Sequence, residues 1–155
     1  MADEQTLEAN KAVVVEFIRR FETGDLDHAY ELLAEDFHWE VMGDSDIAGV
    51  HDKATIRAIS QGVVDVFETP PRWTPTNVIA EGDQVACEAV SSGEARSGFR
   101  YRNRYHLLVS VRDGLMVEAK EYMDTKHVAD LIASMVAYAG AGDPAASGTD
   151  TPGSA

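Results

Sequence analysis

The dipeptide Asp113-Gly114 sits between two segments with a period of two, residues 99–112 and 115–123. Asp-Gly between alternating runs is the sequence of a tight two-residue hairpin, because both turn positions need a positive φ that these residues tolerate. A hairpin this long commits the second half of the chain to an antiparallel sheet. It also fixes which side chains share a face. Leu115, Val117, Ala119, Glu121 and Met123 fall together, as do Tyr101, Asn103, Tyr105, Leu107, Val109 and Val111 on the partner. The opposite, outward face carries Leu108, Met116 and Tyr122 among charged residues. Upstream, Glu81-Gly82-Asp83 marks a turn between strands at 72–80 and 84–92. Pro75 lacks the amide hydrogen a ladder needs, so the first of these belongs at an edge or a bulge.

The first half reads differently. Leu7, Val14, Phe17, Ile18 and Phe21 recur at helical spacing, with Gly24 as a stop. Asp25 caps a short second helix carrying Ala29, Leu32 and Leu33. Phe37, Trp39 and Val41 alternate with polar residues as a half-buried strand, and a loop rich in Asp, Ser and Gly follows. Ile56, Ile59, Val63, Val66 and Phe67 mark a third helix, ended by Pro70 and Pro71. Asp124 is placed to cap a last helix carrying Val128, Leu131, Ile132, Met135 and Tyr138. The order α-α-β-α-β-β-β-β-α predicts an α+β fold with helices on one face of a sheet. From Gly140 on, the chain contains only Gly, Ala, Ser, Pro, Thr and Asp. It has nothing to bury there, so residues 1–139 are expected to form the domain and 140–155 a disordered tail.

The formal net charge of −14 repels phosphate backbones and anionic lipid surfaces, which argues against nucleic-acid or membrane partners. No apolar run reaches the ~18 residues of a membrane span, and the polar, acidic start does not read as a leader. A cytoplasmic protein is expected. Cys87 is the single cysteine, which leaves no intramolecular disulfide. His38, His51, His106 and His127 lack a metal-ligand spacing, and no phosphate loop or dinucleotide fingerprint occurs. Neither a metal nor a cofactor is expected.

Two segments carry a family resemblance: Gly24-Asp25-Leu26 followed by Leu33-Ala34-Glu35-Asp36-Phe37, and Arg112-Asp113-Gly114 through Glu121-Tyr122-Met123-Asp124-Thr125. Over residues 7–138 the chain resembles the ketosteroid isomerase-like, or nuclear-transport-factor-2-like, cone fold. Within it, the chain is most similar to the SnoaL-like polyketide cyclases and the limonene epoxide hydrolases. The resemblance implies a curved antiparallel or mixed sheet wrapped around helices, with a deep central pocket. It implies a small enzyme without a cofactor, moving protons on a hydrophobic cyclic or polyketide-like molecule. The same fold also serves as a non-catalytic ligand-binding or dimerisation module. A homodimer paired through the outward sheet face is expected.

By resemblance, Glu121, Tyr105 and Asn103 point into the cone. Glu121 matches the acid on the last strand of the epoxide hydrolases. Their other positions fall on Glu88, Val90, Trp39 and Val41. Glu121 is the leading candidate for general acid/base work, since an apolar cavity raises a carboxyl pKa. Glu88 would face it as a second carboxyl. Tyr105 and Asn103 would donate to a substrate carbonyl. Phe17, Trp39, Val41, Val90 and Met123 would form the pocket walls.

Overall fold

The structure is a computed structural model and describes residues 2–142. Three of its four helices pack on one face of a six-stranded sheet. The elements run α1 (Glu4–Glu22), α2 (Leu26–Tyr30), β1 (Leu33–Val41), β2 (Gly49–Asp52), α3 (Lys53–Asp65), β3 (Arg72–Glu81), β4 (Gln84–Glu94), β5 (Arg100–Arg112), β6 (Leu115–Met123) and α4 (Thr125–Gly140). The strand order is β2-β1-β6-β5-β4-β3, with β1 and β6 parallel and the other pairs antiparallel. The α+β cone is therefore present, and the sheet is mixed.

The hairpin between β5 and β6 closes as its sequence dictates. Arg112 pairs with Leu115, leaving Asp113 and Gly114 as the loop, with φ of 52° and 76°. Pro75 lies on β3, an edge strand, and the register slips between Pro75 and Asn77. Along β5, Tyr101, Asn103, Tyr105, Leu107, Val109 and Val111 are all buried and the residues between them are less so. Asp124 caps α4 by accepting from the His127 N–H at 3.2 Å.

Four local readings need correction. β1 starts at Leu33, not at Phe37, and α2 stops at Tyr30, so Leu33 belongs to the strand. Residues 49–52, read as part of a loop, form β2, a short edge strand whose only partner is β1. Met116, assigned to the outward face, has no exposed surface. The register places Ser110 opposite Glu118 but Val111 opposite Met116, so Val117 is an extra residue in β6. A bulge of this kind reverses the alternation on one side of it. Met116 turns inward, and its N–H donates to the Leu32 carbonyl at 2.8 Å. The outward apolar patch therefore keeps Leu108 and Tyr122 but loses Met116.

The fourth correction concerns β4. Val85, Cys87, Ala89 and Ser91 are buried, whereas Glu88 and Val90 are exposed. The pairing of β4 with β5 sets Ala89 opposite Tyr105 and Glu88 opposite His106. Directly paired residues share a face, so Glu88 cannot join Tyr105 inside the cone. Glu88 instead accepts from the Asn77 side chain at 3.4 Å on the outer surface. The α4 helix runs through Gly140, the first residue of the expected tail, and residues 143–155 lie outside the described region.

Gly24 shows how tightly α1 is tied to the rest. Its φ is +79°, and a Cβ there would lie 2.7 Å from Pro70 Cγ. Gly24→Ala is expected to lower unfolding free energy by about 1–3 kcal/mol, from the left-handed backbone and the clash. Gly82→Asn, at φ +60° with open space around it, is expected to be near neutral. Urea titration of the two variants checks the contrast.

Candidate active-site pocket

The inner face of the sheet and the helices do not meet everywhere. Between them lies a cavity of about 510 Å³, lined from α1, β1, α3, β3, β5, β6 and α4. That is the size of a small-molecule site. Its walls are mostly aliphatic and aromatic, and α4 covers it with Val128, Leu131, Ile132 and Met135. Phe17, Trp39, Val41 and Met123 line it. Val90 does not, because it lies on the outer face.

Among the described lining residues Glu121 is the one with a formal charge. The parallel register sets Val41 beside Glu121 and Trp39 beside Ala119. Glu121 lies past the Val117 bulge, so its inward direction follows from the pairing of Ala119 with buried Val109. Burial pushes the Glu121 carboxyl up to about 7, and the Trp39 side chain draws it partly back down. A carboxyl with that value exchanges its proton near neutral pH.

Two tyrosines supply the other polar groups. Tyr101 and Tyr105 both line the cavity, and their hydroxyls are hydrogen-bonded to each other. The Tyr105 ring packs on Trp73 with centroids 4.2 Å apart. Burial raises both phenols, and the Glu121 charge raises them further. They are therefore neutral donors at working pH. The mutual bond uses one of the two hydroxyl hydrogens and leaves the other outside it.

Asn103 is buried but lies behind this pair, outside the cavity wall. Its Oδ1 accepts the backbone N–H of Arg104 at 2.7 Å and of Asp124 at 3.1 Å. Two backbone donors leave no ambiguity about which end of the amide is oxygen. Nδ2 then donates to the Tyr101 hydroxyl at 2.9 Å and to the Asp124 carbonyl at 3.2 Å. Asn103 thus ties β5 to the start of α4 and orients Tyr101. It is not among the residues that line the cavity, where the sequence reading places it.

The structure brings Glu121 and Tyr105 together, moves Asn103 one layer back and excludes Glu88. Sequence reasoning passed over Tyr101 as a donor, although its parity with Tyr105 was legible. It also passed over Trp73 and Ser60. Trp73 sits on a strand interrupted by Pro75, where alternation is unreliable. Ser60 is a lone polar residue on the apolar face of α3, and its Oγ is 2.7 Å from the Tyr30 hydroxyl.

Residues 14–119 match the family model of the SnoaL-like domain, more than half of the chain. The chain belongs to the SnoaL-like family. Among curated proteins none matches it. Solved structures share the fold at low identity. PrhC from Penicillium brasilianum NBRC 6234 superposes with a TM-score of 0.78 at 16% identity, over 86% of this chain and 91% of that one. A candidate SnoaL-like polyketide cyclase from Jannaschia sp. CCS1 gives 0.69 at 17% identity, over 85% and 96%. IdmH, a candidate polyketide cyclase from Streptomyces antibioticus, gives 0.67 at 20% identity, over 80% and 98%. The similarity to limonene epoxide hydrolases does not appear among these matches.

The raised Glu121 carboxyl has a stability consequence with a definite sign. The unfolded chain releases this proton near the ordinary value of 4.5, whereas the folded chain holds it to about 7. Folding stability contributed by the retained proton is therefore lost as pH rises from the first value through the second. Glu121→Gln cannot ionise and escapes that loss. Relative to the native protein, it should gain up to about 3 kcal/mol between about pH 4 and about pH 8. Urea denaturation at the two pH values measures this. A difference independent of pH would place Glu121 in an ordinary, solvated setting.

Proposed function

We propose that this protein catalyses proton transfer on a neutral, hydrophobic cyclic ketone, in the manner of an isomerase or cyclase. The observation that carries the reading is a single carboxyl, held near neutrality, on the wall of an otherwise uncharged cavity of about 510 Å³. Polyketide cyclase descriptions attached to two of the similar structures support the same chemistry.

In this reading the ionised Glu121 removes a hydrogen from the carbon beside the carbonyl. The electron pair moves into the C–C bond and then onto the carbonyl oxygen, giving an enolate. The free hydroxyl hydrogen of the Tyr101–Tyr105 pair donates to that oxygen, where charge develops. The protonated Glu121 then returns its proton to a different carbon; alternatively the enolate carbon attacks a second carbonyl of the same molecule, the C=O π pair moves onto that oxygen, and Glu121 returns its proton to the resulting alkoxide. Asn103 holds the Tyr101 oxygen in place by donating to it. The apolar walls disfavour an anionic substrate, because an anion beside Glu121 would be both unpaired and repelled.

A second reading, a ligand-binding module without turnover, is favoured by one feature. Glu88 lies on the outer face, so the cavity holds one carboxyl where acid/base enzymes frequently use two groups.

Hydrogen exchange separates the two. A bicyclic ketone such as 2-tetralone is incubated with the protein in D₂O, and loss of its α-hydrogens is followed by NMR. Exchange should rise with pH through about 7 as Glu121 ionises. Glu121→Gln should slow it by ~10²–10⁴-fold, and Tyr105→Phe by about 10². Saturable binding with no exchange above the buffer rate would support the binding module instead.

A further inference from the structure

The Trp39 indole N–H is buried and has no hydrogen-bond partner within bonding geometry. A buried donor without a partner is costly, so its placement asks for an explanation. Aromatic neighbours pack against the ring on two sides. Phe37 meets it edge-on, with centroids 5.9 Å apart and planes at 81°, and Phe17 packs on it at 5.8 Å. On the inner sheet face, Trp39 is paired with Ala119, two residues before Glu121 on the parallel strand. An indole N–H can only donate.

We propose that Trp39 is the positioning residue of Glu121, its caged N–H steering the carboxylate on the cavity wall and tightening onto it when it carries charge. The inference rests on the reading of Glu121 as the reactive group. The direction of the Trp39 influence on Glu121, downward against burial, agrees with a donor that favours the charged form. The other titratable groups whose titration feels the Glu121 charge are Tyr30 on α2 and Tyr101 and Tyr105 on β5. Among the described lining residues of α1, α3 and α4, none is charged. Trp39 is thus the donor placed to favour the base form of Glu121 when the carboxylate comes within its reach. Without it the apolar wall alone would set the proton affinity.

The chain has two tryptophans, which makes the test direct. Trp73 lines the same cavity, and its N–H is also unpaired, so it serves as the internal control. Indole ¹H–¹⁵N signals of the native protein are followed against pH. The Trp39 signal should move with the ionisation of Glu121, the Trp73 signal should move far less, and Glu121→Gln should abolish the Trp39 movement. In Trp39→Phe, the Glu121 midpoint should rise by about one pH unit or more, as loss of a bond to a charged acceptor requires. The ketone-exchange profile should rise in step. A Trp39 signal that stays still while Glu121 titrates overturns the proposal, as does an unchanged midpoint in folded Trp39→Phe. If the variant does not fold, the native spectra decide alone. Coupling without ketone exchange would sustain the Trp39–Glu121 pairing and remove the catalytic reading; exchange without coupling would do the reverse.

Discussion

A carboxyl group in an apolar cavity is held there against its own preference for water, and much of this architecture serves to keep it in place. Desolvation opposes the charged form, and no cation lies among the described residues of the cavity to offset it. The backbone does the holding. Glu121 sits in a central strand, hydrogen-bonded on one side to β1 and on the other to β5. Moving it to the surface would require the register of β6 to slip by one, which would also expel Ala119 and Met123. The free energy that retains Glu121 comes from its neighbours.

The polar groups around the cavity are organised in the same way, each fixed by something behind it. Asn103 is pinned by two backbone N–H groups and passes a hydrogen bond to Tyr101, which shares one with Tyr105. His127 adds a second brace, accepting the Arg102 N–H at 3.0 Å and stacking on the Tyr101 ring at 5.2 Å. The first turn of α4, through Asp124 and His127, therefore sets the position of the tyrosine pair. The same helix supplies the apolar cover over the cavity. A ligand that displaced α4 would disturb the donors as well as the lid.

Much of this was legible from alternation alone. Asp113-Gly114 made the central hairpin readable, and the parity of β5 was correct along its whole length. Glu121 was recovered because the bulge at Val117 lies between it and the turn without disturbing its pairing with β5. Met116 was misplaced by that same bulge, since one extra residue leaves no mark in the sequence. Glu88 failed for a related reason. Alternation favours Val85, Cys87 and Ala89 as the inner set, but Ala86 and Val90 are apolar too, and the family resemblance put Glu88 and Val90 inside instead. The loop between β4 and β5 sets that register, and its length has no meaning until the pairing is known. Asn103 was placed on the correct face but given the wrong partner, because the return of α4 over the sheet is a tertiary event. The unpaired indole of Trp39 was invisible for the same cause.

All of this turns on Glu121 being a desolvated carboxyl that ionises near neutral pH. The most direct measurement is its own titration. With ¹³C-labelled glutamate, the Glu121 carboxyl signal is identified by its loss in Glu121→Gln and followed against pH in the ligand-free protein. A single transition with its midpoint at about 7 is expected. A midpoint at or below the ordinary 4.5 would contradict it. The carboxyl would then be solvated or paired, and the cavity would lose its base.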